Sequence, residues 1–349
     1  MKRWQSLLIG LVVTAITLAI ALYGTDLTQL GGILSKGNYI WLIPVLVLIV
    51  LGLYLRALRW RVLLSDQMTP THSFNILNAS YLFNNLLPLR AGEVVRIYLA
   101  TRLTPSIPIL TSASSIVVER LADLLSMGIL IALAVIVAPS SPALPKEILG
   151  AVRGGAIIGI IGAVFLVVVA ARRTFALRLL DLLLKALPAL EKVNVRALAI
   201  SVLDGIAPLG SGMGLIKLVG LTAAGWAVSV IQTYLLLYVF YPQPTWDAAL
   251  LMVPISSLAV ALPAVPASVG PFEFAMITGI RISSMQDPTP ELAATRALAA
   301  AVLLHIAVTG SYAFMGVLGV SAENLTIGEI IRTAREFAGK IGRRKAEDQ

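Results

Sequence analysis

The chain has 349 residues and not one cysteine, which excludes disulfides, thiolate catalysis and Cys-ligated metals. Histidine is almost as scarce. His72 and His305 lie far apart and carry no metal-ligand spacing. Charged residues make up 13% of the chain, against ~25% in an ordinary soluble domain. No polar stretch is long enough to fold as a separate soluble domain. Familiar catalytic patterns are missing as well: there is no Gly-x-Ser-x-Gly elbow, no His-Glu-x-x-His and no phosphate-binding Gly-x-x-x-x-Gly-Lys-Ser/Thr loop. An Asp-rich metal motif for prenyl or glycosyl transfer is also absent. The expectation is a protein that is not an enzyme and needs neither cofactor nor metal.

What is present is apolar. Hydrophobic residues reach 58%, and the mean hydropathy is +0.89. That composition belongs to a membrane protein, with room for about eight membrane elements of ~20 residues each. The net charge of +9 would suggest nucleic acid in a soluble chain. Here it reads as basic loops facing the cytoplasm and anionic lipid, with no nucleic-acid partner. The opening stretch MKRWQSLLIGLVVTAITLAIALYG has a basic start, and its apolar run from Leu7 to Gly24 is long enough to span. An uncleaved first helix is favoured over a signal peptide.

Full spans are expected at 5–24, 39–60, 108–138, 153–171, 216–241 and 293–319. Two further apolar regions are interrupted, 74–103 at Pro88 to Gly92 and 248–285 at Pro263 to Pro271. Segment 174–212 mixes leucines with Arg178, Asp181, Lys185, Lys192 and Arg196, the composition of an amphipathic interfacial helix. Basic residues place both termini in the cytoplasm of a multi-pass plasma-membrane protein: Lys2 and Arg3 at the start, Arg56, Arg59 and Arg61 closing the second span, Arg172 and Arg173 closing the fourth, and the tail. With six full spans and both ends inside, each broken region must enter and leave on one face, as a re-entrant hairpin. The expected fold is thus all-α and polytopic. Residues 1–320 form a single transmembrane domain, and 321–349 form a basic cytoplasmic tail. Units 39–138 and 216–319 share one order of elements in opposite orientation, as in the inverted repeats of transporters.

The stretch NNLLPLRAGEVVRIYLATR, Asn84 to Arg102, sets Asn84, Asn85, Arg90, Glu93 and Arg96 around the break at Pro88 and Gly92. Charge at membrane depth costs ~2.5–3.5 kcal/mol per residue on insertion scales, so such residues usually mark a working site. Glu93 and Arg96 fall three apart, where they can pair, and Arg90 beside a helix start suits a phosphate. In the third span Glu119 and Asp123 share a face with Arg120 adjacent. They either pair with hairpin charges such as Arg90 and Arg96 or line a polar cavity. The second hairpin, LPAVPASVGPFEFAM, gathers Pro263, Pro266, Gly270 and Pro271, with Glu273 at the start of the return helix, where N-terminal capping alone would explain it. Arg56 sits deepest of three arginines and is placed to reach a lipid head group or Glu119. Arg61 reads as snorkelling, Tyr234, Tyr238 and Tyr241 as an interfacial belt, and His305 as a buried hydrogen-bonding residue.

In order along the chain, LRALRWRVLL, NNLLPLRAGEVVRIYLATR, SSIVVERLADLL and PASVGPFEFAM resemble the lysylphosphatidylglycerol synthase transmembrane regions, also described as flippase-like integral membrane proteins. The resemblance runs from about residue 5 to 320. Where that family often carries a glycine-rich run, this chain reads PASVG. The resemblance implies a membrane domain that handles a phospholipid or polyprenyl-linked lipid with an anionic head group. In two-domain members a separate soluble domain performs aminoacyl transfer. The chain stops about thirty residues after its last span, so that activity is not expected of it. The expected function is lipid translocation. The alternatives are a non-catalytic membrane subunit supporting a lipid-modifying or glycan-assembly enzyme and, behind it, a polyprenyl-dependent glycosyltransferase.

Overall fold

The computed structural model describes residues 3–87, 91–137, 171–186, 203–260, 266–285 and 287–324, with scattered positions between 161 and 200 and beyond 325. Every regular element among them is helical. In chain order these are α1 (Arg3–Leu22), α2 (Leu27–Ser35), α3 (Leu42–Leu63), α4 (Pro70–Leu86), α5 (Ala91–Thr101), α6 (Ile109–Val137), α7 (Arg173–Ala186), α8 (Gly212–Leu237), α9 (Trp246–Ala259), α10 (Pro271–Arg281) and α11 (Pro290–Ala322).

Four described helical stretches are long and apolar enough to cross a membrane: Tyr39–Leu63, Ile109–Val137, Gly212–Leu237 and Pro290–Ala322. They coincide with the spans expected at 39–60, 108–138, 216–241 and 293–319. The region expected to span at 5–24 is helical as α1. Most of 153–171 and the later part of 174–212 lie outside the described residues, although α7 falls where the amphipathic helix was expected. The charge-poor stretch 25–38, between the first two expected spans, contains α2. Asp26 caps it, its carboxylate accepting the backbone N–H groups of Thr28 and Gln29.

Helix starts elsewhere follow the same chemistry. Thr69 Oγ1 accepts the N–H of His72 ahead of α4, Ser211 Oγ that of Gly214 in α8, and Thr289 Oγ1 that of Leu292 in α11. Pro70 and Pro290 follow two of these caps, at a position where no backbone donor is missed.

The long helices bury one stripe and show an apolar face outward. On α3 the buried stripe is Val45, Ile49, Leu53, Ala57 and Trp60, spaced for a helix, while Ile43, Val47 and Leu51 are exposed. An exposed apolar face has a natural solvent in lipid tails. Association in lipid depends on close packing instead of expulsion of water. Small residues supply it. Ala297, Ala299, Ala300 and Ala301 of α11 are buried, and a Cβ at Gly316 would stand 2.4 Å from Leu82 Cβ of α4. Helix α8 packs along α3, α11 along α4, and α9 against both α6 and α10.

Two regions fold as broken helical pairs. Helix α4 ends at Leu86, Leu87 turns extended, and α5 returns along α4. The second pair is α9 and α10, with the short turn Pro266–Ser268 before the return helix. Both are antiparallel. Gly92 at the start of α5 lies against Ser80 and Asn84, and Ser284 just after α10 bonds Asp247 at the start of α9. At ~1.5 Å per residue the return helices are only about 16 Å long, roughly half a hydrocarbon core.

Candidate functional site

Three helices converge on one carboxylate. Glu119, about 15 Å along α6 from Ile109 at ~1.5 Å per residue, is fully buried. Its Oε1 accepts from Arg59 Nη2 of α3 at 2.8 Å, and its Oε2 from Arg96 Nη2 of α5 at 2.7 Å. Arg59 Nη1 continues to Asp123 Oδ1 at 2.7 Å, one turn further along α6. A planar guanidinium fork spans two carboxylates on one helix face in a way that an ammonium cannot. The indole of Trp60 lies beneath Arg96, whose guanidinium carbon is 4.1 Å from the ring centroid. Trp60 Nε1–H also donates to Ser115 Oγ at 3.1 Å, and Trp226 Nε1–H of α8 to Asp123 Oδ1 at 3.3 Å. The cluster thereby ties α3, α5, α6 and α8 together.

At its edge Arg120, half-buried, reaches Glu93 at 3.2 Å and Asp123 at 3.5 Å. Arg56 is different. Among the described residues its hydrogen bond goes to a neutral group, Ser229 Oγ of α8, at 2.9 Å. Nearby, Tyr81 of α4 and Tyr312 of α11 stack with centroids 4.9 Å apart. Among the described residues the Nε atoms of Arg59, Arg96 and Arg120 are buried without an acceptor.

These contacts correct two sequence expectations. Glu93 and Arg96 do not pair with each other although they sit three apart. Arg96 turns inward to Glu119, and Glu93 faces Arg120 across the α5–α6 contact. Arg56 does not reach Glu119, because Arg59, less than a turn further along, faces α6 while Arg56 faces α8. Arg59 and Trp60 were not expected to take part. The signal for Arg59 was Glu119 and Asp123 themselves, two acids on one face that require a bidentate cation.

At the break of the first pair, Asn84 Oδ1 accepts the N–H of Gly92 at 2.9 Å, and Asn85 Nδ2 is buried with no partner among the described residues. A Cβ at Gly92 would fall 1.9 Å from Ser80 O, so no larger residue fits where α5 leaves the turn. Pro88 and Arg90 lie outside the described residues, as does Pro263; Pro266 opens the turn of the second pair.

That turn holds a second centre. Ala267, Ser268 and Gly270 all have positive φ, at 61°, 58° and 93°. Pro271 starts α10, and Glu273 Oε2 accepts the Gly270 N–H at 2.7 Å, so capping is part of its role. Its other oxygen meets His305 Nδ1 of α11, and His305 Nε2 lies 2.9 Å from the Ala267 carbonyl. The buried histidine is thus hydrogen-bonded, as expected, though its partner Glu273 was not foreseen. The turn also packs against α4, which brings the two broken pairs into contact. Tyr234 stacks on Trp246 at 3.8 Å, and Tyr238 on Trp41 at 4.7 Å. No group of three or more His, Asp or Glu that could hold a metal occurs among the described residues.

No curated protein and no solved structure matches the chain. Residues 7–319 match the family described as the lysylphosphatidylglycerol synthase TM region. The buried charge cluster and both broken helical pairs fall inside that match, and the chain belongs to this family of membrane proteins.

Proposed function

We propose that this protein binds a membrane lipid through an anionic head group and carries it between leaflets, without catalysing a covalent reaction. The observation that carries the reading is the charge balance of the cluster. Among the described residues four guanidiniums, of Arg56, Arg59, Arg96 and Arg120, face three carboxylates, of Glu93, Glu119 and Asp123, and Arg56 has no described carboxylate within ion-pair range. An uncompensated cation at membrane depth is costly unless an anion joins it. A head-group phosphate supplies that anion. It also supplies acceptors for guanidinium N–H groups, of which three Nε atoms are buried unsatisfied.

The roles then divide. Glu119 and Asp123 hold Arg59 and Arg96 rigid, so those two shape the site more than they grip the lipid. Arg56 and Arg120 make the contact, with Arg90 placed by sequence at the adjoining break. Helices α5 and α10 are too short to cross the bilayer, which supports re-entrant pairs entering from opposite faces and meeting near mid-depth, where α4 touches the turn Pro266–Ser268. Tails remain in lipid against the exposed apolar faces of the long helices. Both termini face the cytoplasm on this reading, and the plasma membrane is the site of action.

Reconstitution into liposomes with fluorescently labelled phosphatidylglycerol tests this. The wild-type protein should expose inner-leaflet label to an external quencher. Arg56→Gln should slow that exposure by at least about tenfold, because one charge-assisted contact is worth ~1.5–3 kcal/mol. A folded Arg56→Gln protein that works at the wild-type rate would falsify the site. Binding of lipid without movement would instead favour an accessory subunit that presents lipid to a separate enzyme.

A further inference from the structure

The contact between Glu273 and His305 has a fixed proton count. The Ala267 carbonyl can only accept, so His305 Nε2, 2.9 Å away, carries a hydrogen. Glu273 Oε2 is occupied by the Gly270 N–H at 2.7 Å. The remaining contact, Oε1 with Nδ1, needs a proton between two atoms that otherwise both present lone pairs. Whether that proton sits on the imidazole or on the carboxyl, the pair is neutral overall and holds one proton more than a carboxylate facing a neutral histidine. Without it the pair carries a net negative charge, the contact turns repulsive, and the charge is buried, since Glu273 is 6% exposed and His305 7%.

Among the described residues no neighbouring charge stands in for that proton. Helix α10 carries Arg281, which bonds the Tyr23 carbonyl, and α9 carries Asp247, bonded to Ser284. Helix α11 carries Arg296, paired with Asp287. Helix α1 presents Thr14 and Thr17 to Gly270, α4 presents Tyr81 to Tyr312, and Arg56 of α3 is held by Ser229. Among the described residues His305 is the one ionisable group that Glu273 meets.

The pair also holds a turn that does not hold itself. Ala267 and Ser268 occupy the left-handed region, at φ 61° and 58°, which disfavours side chains with a Cβ. His305 grips the Ala267 carbonyl, and Glu273 grips the Gly270 amide three residues later.

We propose that Glu273 and His305 together form a proton-binding site, and that the bound proton latches the turn Pro266–Gly270 of the second broken pair onto α11. Loss of the proton releases the turn. On the lipid-movement reading above, the latch makes opening of the second pair proton-dependent. The latch itself is measurable without lipid movement.

The chain's lack of cysteine and its two histidines make the test direct. Val269 is 39% exposed within the turn, and Tyr23, at 80%, is a solvent-facing reference. Alkylation of Val269→Cys by N-ethylmaleimide is followed over roughly pH 5.5 to 9 and divided by the rate for Tyr23→Cys, which removes the thiol's own ionisation. The corrected rate should rise by at least about tenfold toward alkaline pH. Adding His305→Ala or Glu273→Ala should make it fast at every pH, whereas Glu273→Gln, whose amide N–H supplies the hydrogen to Nδ1, should keep it slow at every pH. In His72→Gln protein, whose Glu273–His305 pair is unaltered, nitrogen NMR of labelled histidine reports His305 alone. It should show Nε2 protonated throughout and Nδ1 changing over the range in which labelling rises. A flat corrected rate overturns the latch, and an unchanging His305 resonance overturns the proton site. If both titrate while lipid movement is absent, the latch stands and only the transport reading fails.

Discussion

Replacing Glu119 by glutamine keeps the shape of the side chain and removes the charge on which three helices converge. In the native protein its two oxygens accept charge-assisted hydrogen bonds at 2.8 and 2.7 Å from Arg59 and Arg96, in a site with no solvent exposure. The amide retains one acceptor and turns an NH2 donor toward the other guanidinium. One strong bond is lost, and a buried cation is left short of its counter-charge. Breaking a buried pair in this way costs ~3–5 kcal/mol, a large part of a typical folding free energy of ~5–15 kcal/mol. Arg59 keeps Asp123 and Arg96 keeps the Trp60 face, so the lower end of that range is expected. At ~2 °C per kcal/mol for a large domain, thermal unfolding in detergent should fall by at least about 6 °C. Glu93→Gln is the control, because the Glu93–Arg120 pair is partly exposed and should cost at most ~1 kcal/mol. Unfolding curves for Glu119→Gln and wild type that coincide within a degree would show that the three-helix clamp contributes nothing.

Further expectations follow from the same geometry. Gly270→Ala places a Cβ 2.6 Å from Thr17 Oγ1 and 2.8 Å from Thr14 O at φ 93°, so strain and overpacking should destabilise the protein by at least about 2 kcal/mol in the same melt. Unchanged stability would mean that α1 does not seat against the turn. Trp60→Phe keeps a ring under Arg96 but loses the donor to Ser115, at an expected ~0.5–1.5 kcal/mol; a larger loss would assign the indole a packing role. For orientation, a membrane-impermeant maleimide added to intact cells should label Pro288→Cys and leave Gln67→Cys unlabelled until permeabilisation. The reverse pattern would invert the whole arrangement.

Four of the six expected spans were legible because their signal is local: an apolar run of membrane length is sufficient, and Ile109–Val137 departs from the expected 108–138 by one residue at each end. The breaks were legible for the same reason, since Gly92, or Gly270 and Pro271, act on their own backbone. Helix α2 was missed because LTQLGGILS carries paired glycines and no clean apolar face, and only its docking against α11 and the Asp26 cap account for it. Pairing partners were the least legible. The contact of Arg59 with Glu119 joins positions sixty residues apart, and which of the three arginines on α3 faces α6 depends on the rotation of that helix in the bundle. Local spacing gave the wrong partner for Glu93 because the (i, i+3) neighbour Arg96 found a fully buried carboxylate across the interface. His305 lay in an alanine- and leucine-rich helix with nothing nearby in sequence to mark it.

The central claim is that the surplus guanidinium charge selects lipids by the charge of their head group. The most direct measurement compares labelled phosphatidylglycerol with labelled phosphatidylcholine in the same proteoliposomes of wild-type protein. Phosphatidylglycerol should move at least about tenfold faster, because the choline head group places a cation beside the arginines, and its rate should drop to the phosphatidylcholine rate in Arg56→Gln. Equal rates for the two lipids in wild-type protein would contradict the account.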